Sequence, residues 1–194
     1  SVNIHSFTLM MTLFDRILIL LKLGPDHRFM TLSTISMKWL SENQIKGLIL
    51  DLDNTIISED DCYLSPGVER WLQQVQDYGI QIFLVSNGKR EARFINWKER
   101  LHLPGIHQAR KPFKSGFKRA LRSMNLCPHD VMVIGDSFHT DILGAKISHL
   151  RCIQVASLPH PKLWWENLIG AYIQKPYPQE YPLDINEIKG KVSH

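Results

Sequence analysis

The decisive stretch is Lys46-Gly47-Leu48-Ile49-Leu50-Asp51-Leu52-Asp53-Asn54-Thr55. Its first half is a short, unbroken apolar run, the pattern of a strand buried on both faces. Its second half carries two carboxylates two residues apart. As the chain leaves the sheet, both can face the same crevice. Unpaired negative charge against an apolar interior is costly, so a cation is the expected partner. Hard oxygen ligands suit magnesium. Asp-Asn-Thr is also good composition for a plain polar turn.

Outward from this stretch, strands and helices alternate. Downstream, Pro66 and Gly67 open a helix through Tyr78, with Val68, Trp71, Leu72 and Val75 at helical spacing. Gly79 ends it and Ile80 to Val85 reads as a second buried strand. Lys89 to Leu101 is predicted helical, His107 to Ala109 a short strand, and Ser115 to Met124 a helix with Phe117, Ala120, Leu121 and Met124 on one face. Val131 to Ile134 is a third apolar strand, a helix starts near Thr140, and Cys152 to Val155 is a further strand. Upstream, Ser33 to Ser36 precede a short helix over Met37 to Asn43. Such alternation predicts an α/β fold, a parallel sheet with helices on both faces. Ligands of such sheets sit beyond the carboxyl ends of the strands.

Other strand ends carry chemistry too. Ser86-Asn87-Gly88 offers hydroxyl, amide and backbone donors for phosphate oxygens, yet is also an ordinary turn. Lys111 follows the next short strand, in a position where a lone lysine is usually a surface residue. Ile134-Gly135-Asp136-Ser137 places an acid at a third strand end, and Asp141 follows it. His139 lies between them and reads as a loop residue.

Taken together, DLDNT at Asp51 to Thr55, Ser86-Asn87, Lys111, and GDSFHTD from Gly135 to Asp141 resemble the four motifs of the haloacid dehalogenase superfamily. The resemblance covers residues 45–157. It implies a Rossmann-like phosphatase core in which Asp51 attacks phosphorus and becomes an aspartyl-phosphate. Asp53 then serves as acid and afterwards as base. Magnesium is implied on Asp51, Asp136 and the main-chain carbonyl of Asp53, with Asp141 supporting that shell or orienting Lys111. Ser86 and Lys111 hold the equatorial oxygens, and Thr55, Asn87 and Gly88 line the substrate site.

Residues 52–85 and 87–110 are filled by the strands and helices above and leave no room for a cap domain, so the site is expected to be open. IKGLILDLDNTI from Ile45, SNGKREAR from Ser86, ARKP at Ala109 and TDILGAK at Thr140 are most similar to YqeG-type, subfamily IIIA phosphatases, which include phosphatidylglycerophosphate phosphatases. The leading expectation is therefore an anionic lipid headgroup as substrate. A soluble sugar phosphate or nucleotide is the rival, and a non-catalytic phosphate-binding module with the same fold is a third reading.

Composition bounds these readings. The formal charge is +4, with basic groups at Lys89, Arg90 and Arg93 and again at Arg110, Lys111, Lys114, Lys118, Arg119 and Arg122. These suit anionic partners or a solvated face; no aromatics interleave with them as a nucleic-acid groove would require. Three scattered cysteines argue against a disulfide framework or zinc knuckle, and so for a reducing, cytoplasmic setting. Three regions are expected: an apolar segment at residues 1–34, the core at 35–160, and a C-terminal helix with an extended tail at 161–194. From Phe7 to Leu23 the chain is apolar but interrupted by Asp15 and Arg16, which speaks against a membrane span and leaves core packing or peripheral membrane contact. It lacks the pattern of a secretory signal, and the start at Ser1 leaves an upstream segment open. Leu163-Trp164-Trp165 and Tyr172 suit either a membrane interface or a packed helix.

Overall fold

The computed structural model describes residues 21–161, 166–178 and 182–185. Alternation within the strands builds two cores. Leu48, Leu50, Ile82, Leu84, Met132 and Ile134 point to one face of a sheet, and Ile49, Phe83, Val85, Val131 and Val133 to the other. Apolar residues at every position of a strand demand cover on both sides.

That cover comes from helices. The sheet has six parallel strands: β1 (His27–Phe29), β2 (Gly47–Leu50), β4 (Gln81–Val85), β5 (Gly105–Ile106), β6 (Val131–Gly135) and β7 (Arg151–Val155). Their order is β1-β7-β6-β2-β4-β5. A separate antiparallel pair joins β3 (Tyr63–Leu64) to β8 (Asp184–Ile185). On one face lie α1 (Met37–Glu42), α2 (Val68–Asp77) and α3 (Glu91–Arg100), contributing Leu40, Trp71, Leu72, Val75, Phe94 and Trp97. On the other lie α4 (Lys114–Met124) and α5 (Leu143–Ile147), contributing Phe117, Ala120, Met124 and Ala145. The buried Trp71 indole donates to the Ile35 carbonyl at 2.7 Å, so its burial leaves no polar orphan.

Register aligns the strand ends. Leu50 sits beside Leu84 on one side and Ile134 on the other, and the Asp51 amide still donates to the Ile134 carbonyl at 3.0 Å. Asp51, Ser86 and Asp136 therefore leave three neighbouring strands at the same edge. The chain between Asp51 and Ser86 is taken up by β3, α2 and β4, and that between Ser86 and Lys111 by α3 and β5.

Several elements depart from expectation. β1 joins the sheet edge through His27 beside Ile153, so the sheet begins before residue 35. The short strand is Gly105–Ile106 rather than His107 to Ala109, because Leu84 and Val85 pair there; Gln108 and Arg110, with φ of 49° and 58°, belong to the loop that follows. The described residues of the C-terminal region pack on the domain. After α6 (Glu166–Ile173), Pro176 bridges Ser157, Tyr177 is buried, and β8 returns to β3. No helix among the described residues is long and apolar enough to cross a membrane. Residues 1–20 and Leu163 to Trp165, on which the membrane-contact readings fell, lie outside the described residues.

Candidate active site

The site grows from the carboxyl ends of β2, β4 and β6 and the loop after β5. Asp51 is buried, and its Oδ1 accepts from Lys111 Nζ at 2.6 Å. The same ammonium donates to Asp141 Oδ1 at 2.5 Å. Thr55 Oγ1 lies 3.2 Å from Asp51 Oδ2 and 3.5 Å from Asp136 Oδ1, between the two carboxylates. Asp136 Oδ2 accepts from Ser157 Oγ at 2.6 Å and from Gln174 Nε2 at 3.1 Å. A widened helical turn over Phe138–Ile142 brings Asp141 back into the cluster, where its Oδ2 accepts from the Ser137 amide at 3.2 Å. Gly135 allows this close return: a Cβ there would stand 2.3 Å from the Asp141 carboxyl carbon.

Charge balance shows what the cluster needs. Oxygens of Asp51, Asp136 and Asp141 lie within 4.8 Å of one another, and all three residues are buried. Lys111 is the cation facing two of them. Burial pushes the Asp51 carboxyl well above its ordinary range; Lys111 pulls it back, while Asp141, Asp53 and Asp136 push it further up. Burial, then the Asp141 charge, pushes Asp136 up to about 7 against the Ser157 hydrogen bond. Burial alone would depress the Lys111 ammonium, but Asp141 and Asp51 raise it above its usual range. Three carboxylates on one ammonium, all drawn from water, fit a divalent cation as the missing charge. The donor set is all oxygen, the chemistry of a hard cation.

Beside this cluster, Asp53 faces a different set of partners. Its Oδ2 accepts from Ser86 Oγ at 2.8 Å and its Oδ1 from Arg93 Nη1 at 2.5 Å. Gly88 donates its amide to Ser86 Oγ at 2.9 Å, and a Cβ on Gly88 would come within 3.1 Å of Asp53 Oδ2. Asn87 departs from the expected substrate contact. Its amide group is spent on Lys111, donating to the carbonyl at 2.9 Å and accepting from the amide at 2.7 Å, so it braces the lysine's backbone. His139 pairs with Ser137 Oγ at 2.8 Å, and burial lowers its pKa.

The structure thus brings Asp51, Thr55, Lys111, Asp136 and Asp141 into one buried knot and sets Asp53, Ser86 and Gly88 at its side. Sequence reasoning missed Ser157, Gln174 and Gln154, whose Nε2 donates to the Asp136 carbonyl at 3.0 Å. It also took Arg93 for a rim residue. None of these stands in a recognisable local pattern; only the Ser157 position, two residues beyond β7, was a strand-end signal open to use.

Known proteins resemble this chain. The family model described as haloacid dehalogenase-like hydrolase matches residues 39–149. A protein of Bacillus subtilis (strain 168) named "Probable phosphatase YqeG" is 38% identical over 131 residues, covering 68% of this chain and 76% of that protein. Among solved structures, an uncharacterized protein from Listeria monocytogenes serotype 4b superposes with a TM-score of 0.51 at 14% identity, covering 72% of this chain and 86% of that one. The cobalt-bound deoxy-D-mannose-octulosonate 8-phosphate phosphatase of Haemophilus influenzae gives 0.45 at 13% identity, over 64% and 75%.

Proposed function

The chain belongs to the haloacid dehalogenase-like hydrolase family and is a phosphatase; from that premise we propose that it is a magnesium-dependent phosphomonoesterase acting on phosphatidylglycerophosphate through an aspartyl-phosphate on Asp51. The observation that carries the proposal is the buried Asp51 carboxylate held by Lys111 at 2.6 Å at the end of the sheet's β2 strand. A fixed carboxylate beside a fixed ammonium can approach a phosphoryl group whose charge the ammonium shares.

Asp51 attacks phosphorus as the bond to the leaving oxygen breaks, and Asp53 gives that oxygen a proton. Asp53, now ionised, takes a proton from the water that hydrolyses the acyl phosphate and restores Asp51. Ser86 and Lys111 bind the equatorial oxygens in this scheme, with the Gly88 amide turned on the Ser86 hydroxyl. The carboxylates of Asp51 and Asp136 with the Asp53 carbonyl would hold magnesium, which supplies charge neutralisation of the transferring group when bound. Asp141 fixes the Lys111 ammonium, and Thr55 spaces the two cation-binding carboxylates.

The lipid headgroup is favoured by the rim. Phe113 is 70% exposed, two residues from Lys111, with Arg110 exposed on the same loop, Lys114 exposed at the start of α4, and Lys89 and Arg90 exposed on the loop after β4. Those loops are tied by the Gln108 amide donating to the Gly88 carbonyl. An exposed aromatic flanked in the chain by cations, with two more on the tied loop, suits an anionic bilayer surface, each cation adding about 1 kcal/mol there. This reading places the enzyme in the cytoplasm, peripheral on the membrane. Phosphate release tests it: purified protein with magnesium, given phosphatidylglycerophosphate in mixed micelles and a panel of soluble sugar phosphates and nucleotides. Preference for the lipid, lost in EDTA, is the expected result. Preference for a soluble ester would discard the lipid and keep the mechanism; no release from any would favour a binding module.

A further inference from the structure

Arg93 stands one helical turn from Trp97 on α3, the helix that Phe94 and Trp97 anchor to the sheet. Its side chain is 11% exposed and makes three contacts in different directions. Nη1 donates to Asp53 Oδ1, Nε to Asp61 Oδ1 at 2.8 Å, and Nη2 to the Ser58 carbonyl at 3.0 Å. Asp61 Oδ1 also accepts from the Trp97 indole at 2.9 Å, so the fork is braced at its root and at its tips.

We propose that Arg93 is a positioning residue that aims the Asp53 carboxyl at the leaving oxygen, an inference that rests on the acid and base role assigned to Asp53 above. A carboxyl group turns freely about its bond to Cβ, and general acid catalysis fails when the proton points elsewhere. Arg93 takes Oδ1 and leaves Oδ2 as the oxygen on the phosphate side. That oxygen meets Ser86 Oγ at 2.8 Å, the hydroxyl assigned to the phosphoryl group. When phosphate oxygens claim the Ser86 hydroxyl, Oδ2 is released where the leaving oxygen departs. A guanidinium suits the task because it stays charged and does not exchange protons in the working range. Arg93 neither gives nor takes a proton; Asp53 does both.

A bland alternative is that Arg93 merely pins the loop around Ser58 and Asp61. Leaving groups separate the two. Phenolate needs protonation as it departs, whereas 4-nitrophenolate departs with little help. Values of kcat/KM, which report the phosphorylation step, are to be measured with magnesium for phenyl phosphate and 4-nitrophenyl phosphate. Arg93→Gln is expected to lose about 100-fold on phenyl phosphate and much less on the nitrophenyl ester. Guanidinium added to Arg93→Ala is expected to restore part of the loss. Asp60→Ala, which removes the loop's bonds to the Ser58 hydroxyl and the Cys62 amide while leaving the partners of Arg93 in place, is expected to shift both esters alike. Should Arg93→Gln fail to fold, Arg93→Lys keeps the charge without the fork and is expected to show an intermediate, still selective, loss. Equal losses on both esters for the Arg93 variants would overturn the proposal. Asp53→Asn reports on the reading beneath it: a selective loss there with equal losses at Arg93 removes Arg93 alone, whereas equal losses at Asp53 remove both.

Discussion

Lys111 Nζ stands 2.6 Å from Asp51 Oδ1 and 2.5 Å from Asp141 Oδ1, with all three side chains nearly closed to solvent. One ammonium therefore serves both Asp51, the proposed nucleophile, and Asp141, which holds that ammonium in place. Removing it strands two buried carboxylates, and breaking a buried pair costs about 3–5 kcal/mol. Lys111→Met is expected to lower the stability of the metal-free protein by that order and to cut turnover by more than about 100-fold. Denaturant titration in EDTA and steady-state phosphate release check the two halves separately.

Ser157 and Gln174 both donate to Asp136 Oδ2, and so fix which oxygen faces the cluster. Partners of this kind are worth about 10- to 100-fold in metal affinity. Ser157→Ala and Gln174→Ala are each expected to weaken magnesium binding by about tenfold or more, read by calorimetric titration, while leaving the fold's thermal transition close to that of the parent.

The same Asp136 sets a pH dependence. Its carboxyl is pushed up to about 7 in the folded protein, from 3.8 for an unperturbed carboxyl, by burial and then by Asp141. Between those values the folded state holds a proton that the unfolded state has released. Its contribution to stability is present in full below about pH 4 and is lost as pH rises through 7. In EDTA the stability difference between parent and Asp136→Asn is expected to shrink or reverse in favour of the variant across that window. Magnesium held by Asp136, as proposed, would displace that proton, so its affinity is expected to fall as the solution is acidified from pH 7. A flat difference across pH 4 to 7 would contradict this account.

Gly135 faces Asp141 where a Cβ would sit 2.3 Å from the carboxyl carbon. Gly135→Ala is expected to push Asp141 off Lys111, costing about 1–3 kcal/mol in stability. Displacement of the ammonium by roughly 1 Å is worth about 100-fold in rate. Melting curves and kcat at saturating substrate check both.

Much of this was legible in the chain, for definite reasons. Leu48-Ile49-Leu50 announced a strand buried on both faces, and the acids at 51, 53 and 136 stood where such strands must end. Register then joined them without further information. β1 was missed because His27-Arg28-Phe29 has no apolar run; it is an edge strand held by neighbours 126 residues away. The β3–β8 pair is two residues on each side and joins Tyr63 to Ile185, so nothing local could reveal it. Arg93 shares its stretch with exposed Lys89 and Arg90, and only the placement of Asp53 and Asp61 shows that it turns inward. Gln174 approaches Asp136 through the packing of α6 and Pro176, a purely tertiary event.

Asp51 is proposed to carry the phosphoryl group. The most direct measurement is to quench the enzyme in acid during turnover with magnesium, reduce with borohydride, and map the peptide spanning residues 46–55 by mass spectrometry. Conversion of Asp51 to homoserine, absent without substrate and absent in Asp51→Asn, is the predicted result. Turnover that continues in Asp51→Asn, or reductive labelling at another acid, would contradict the account.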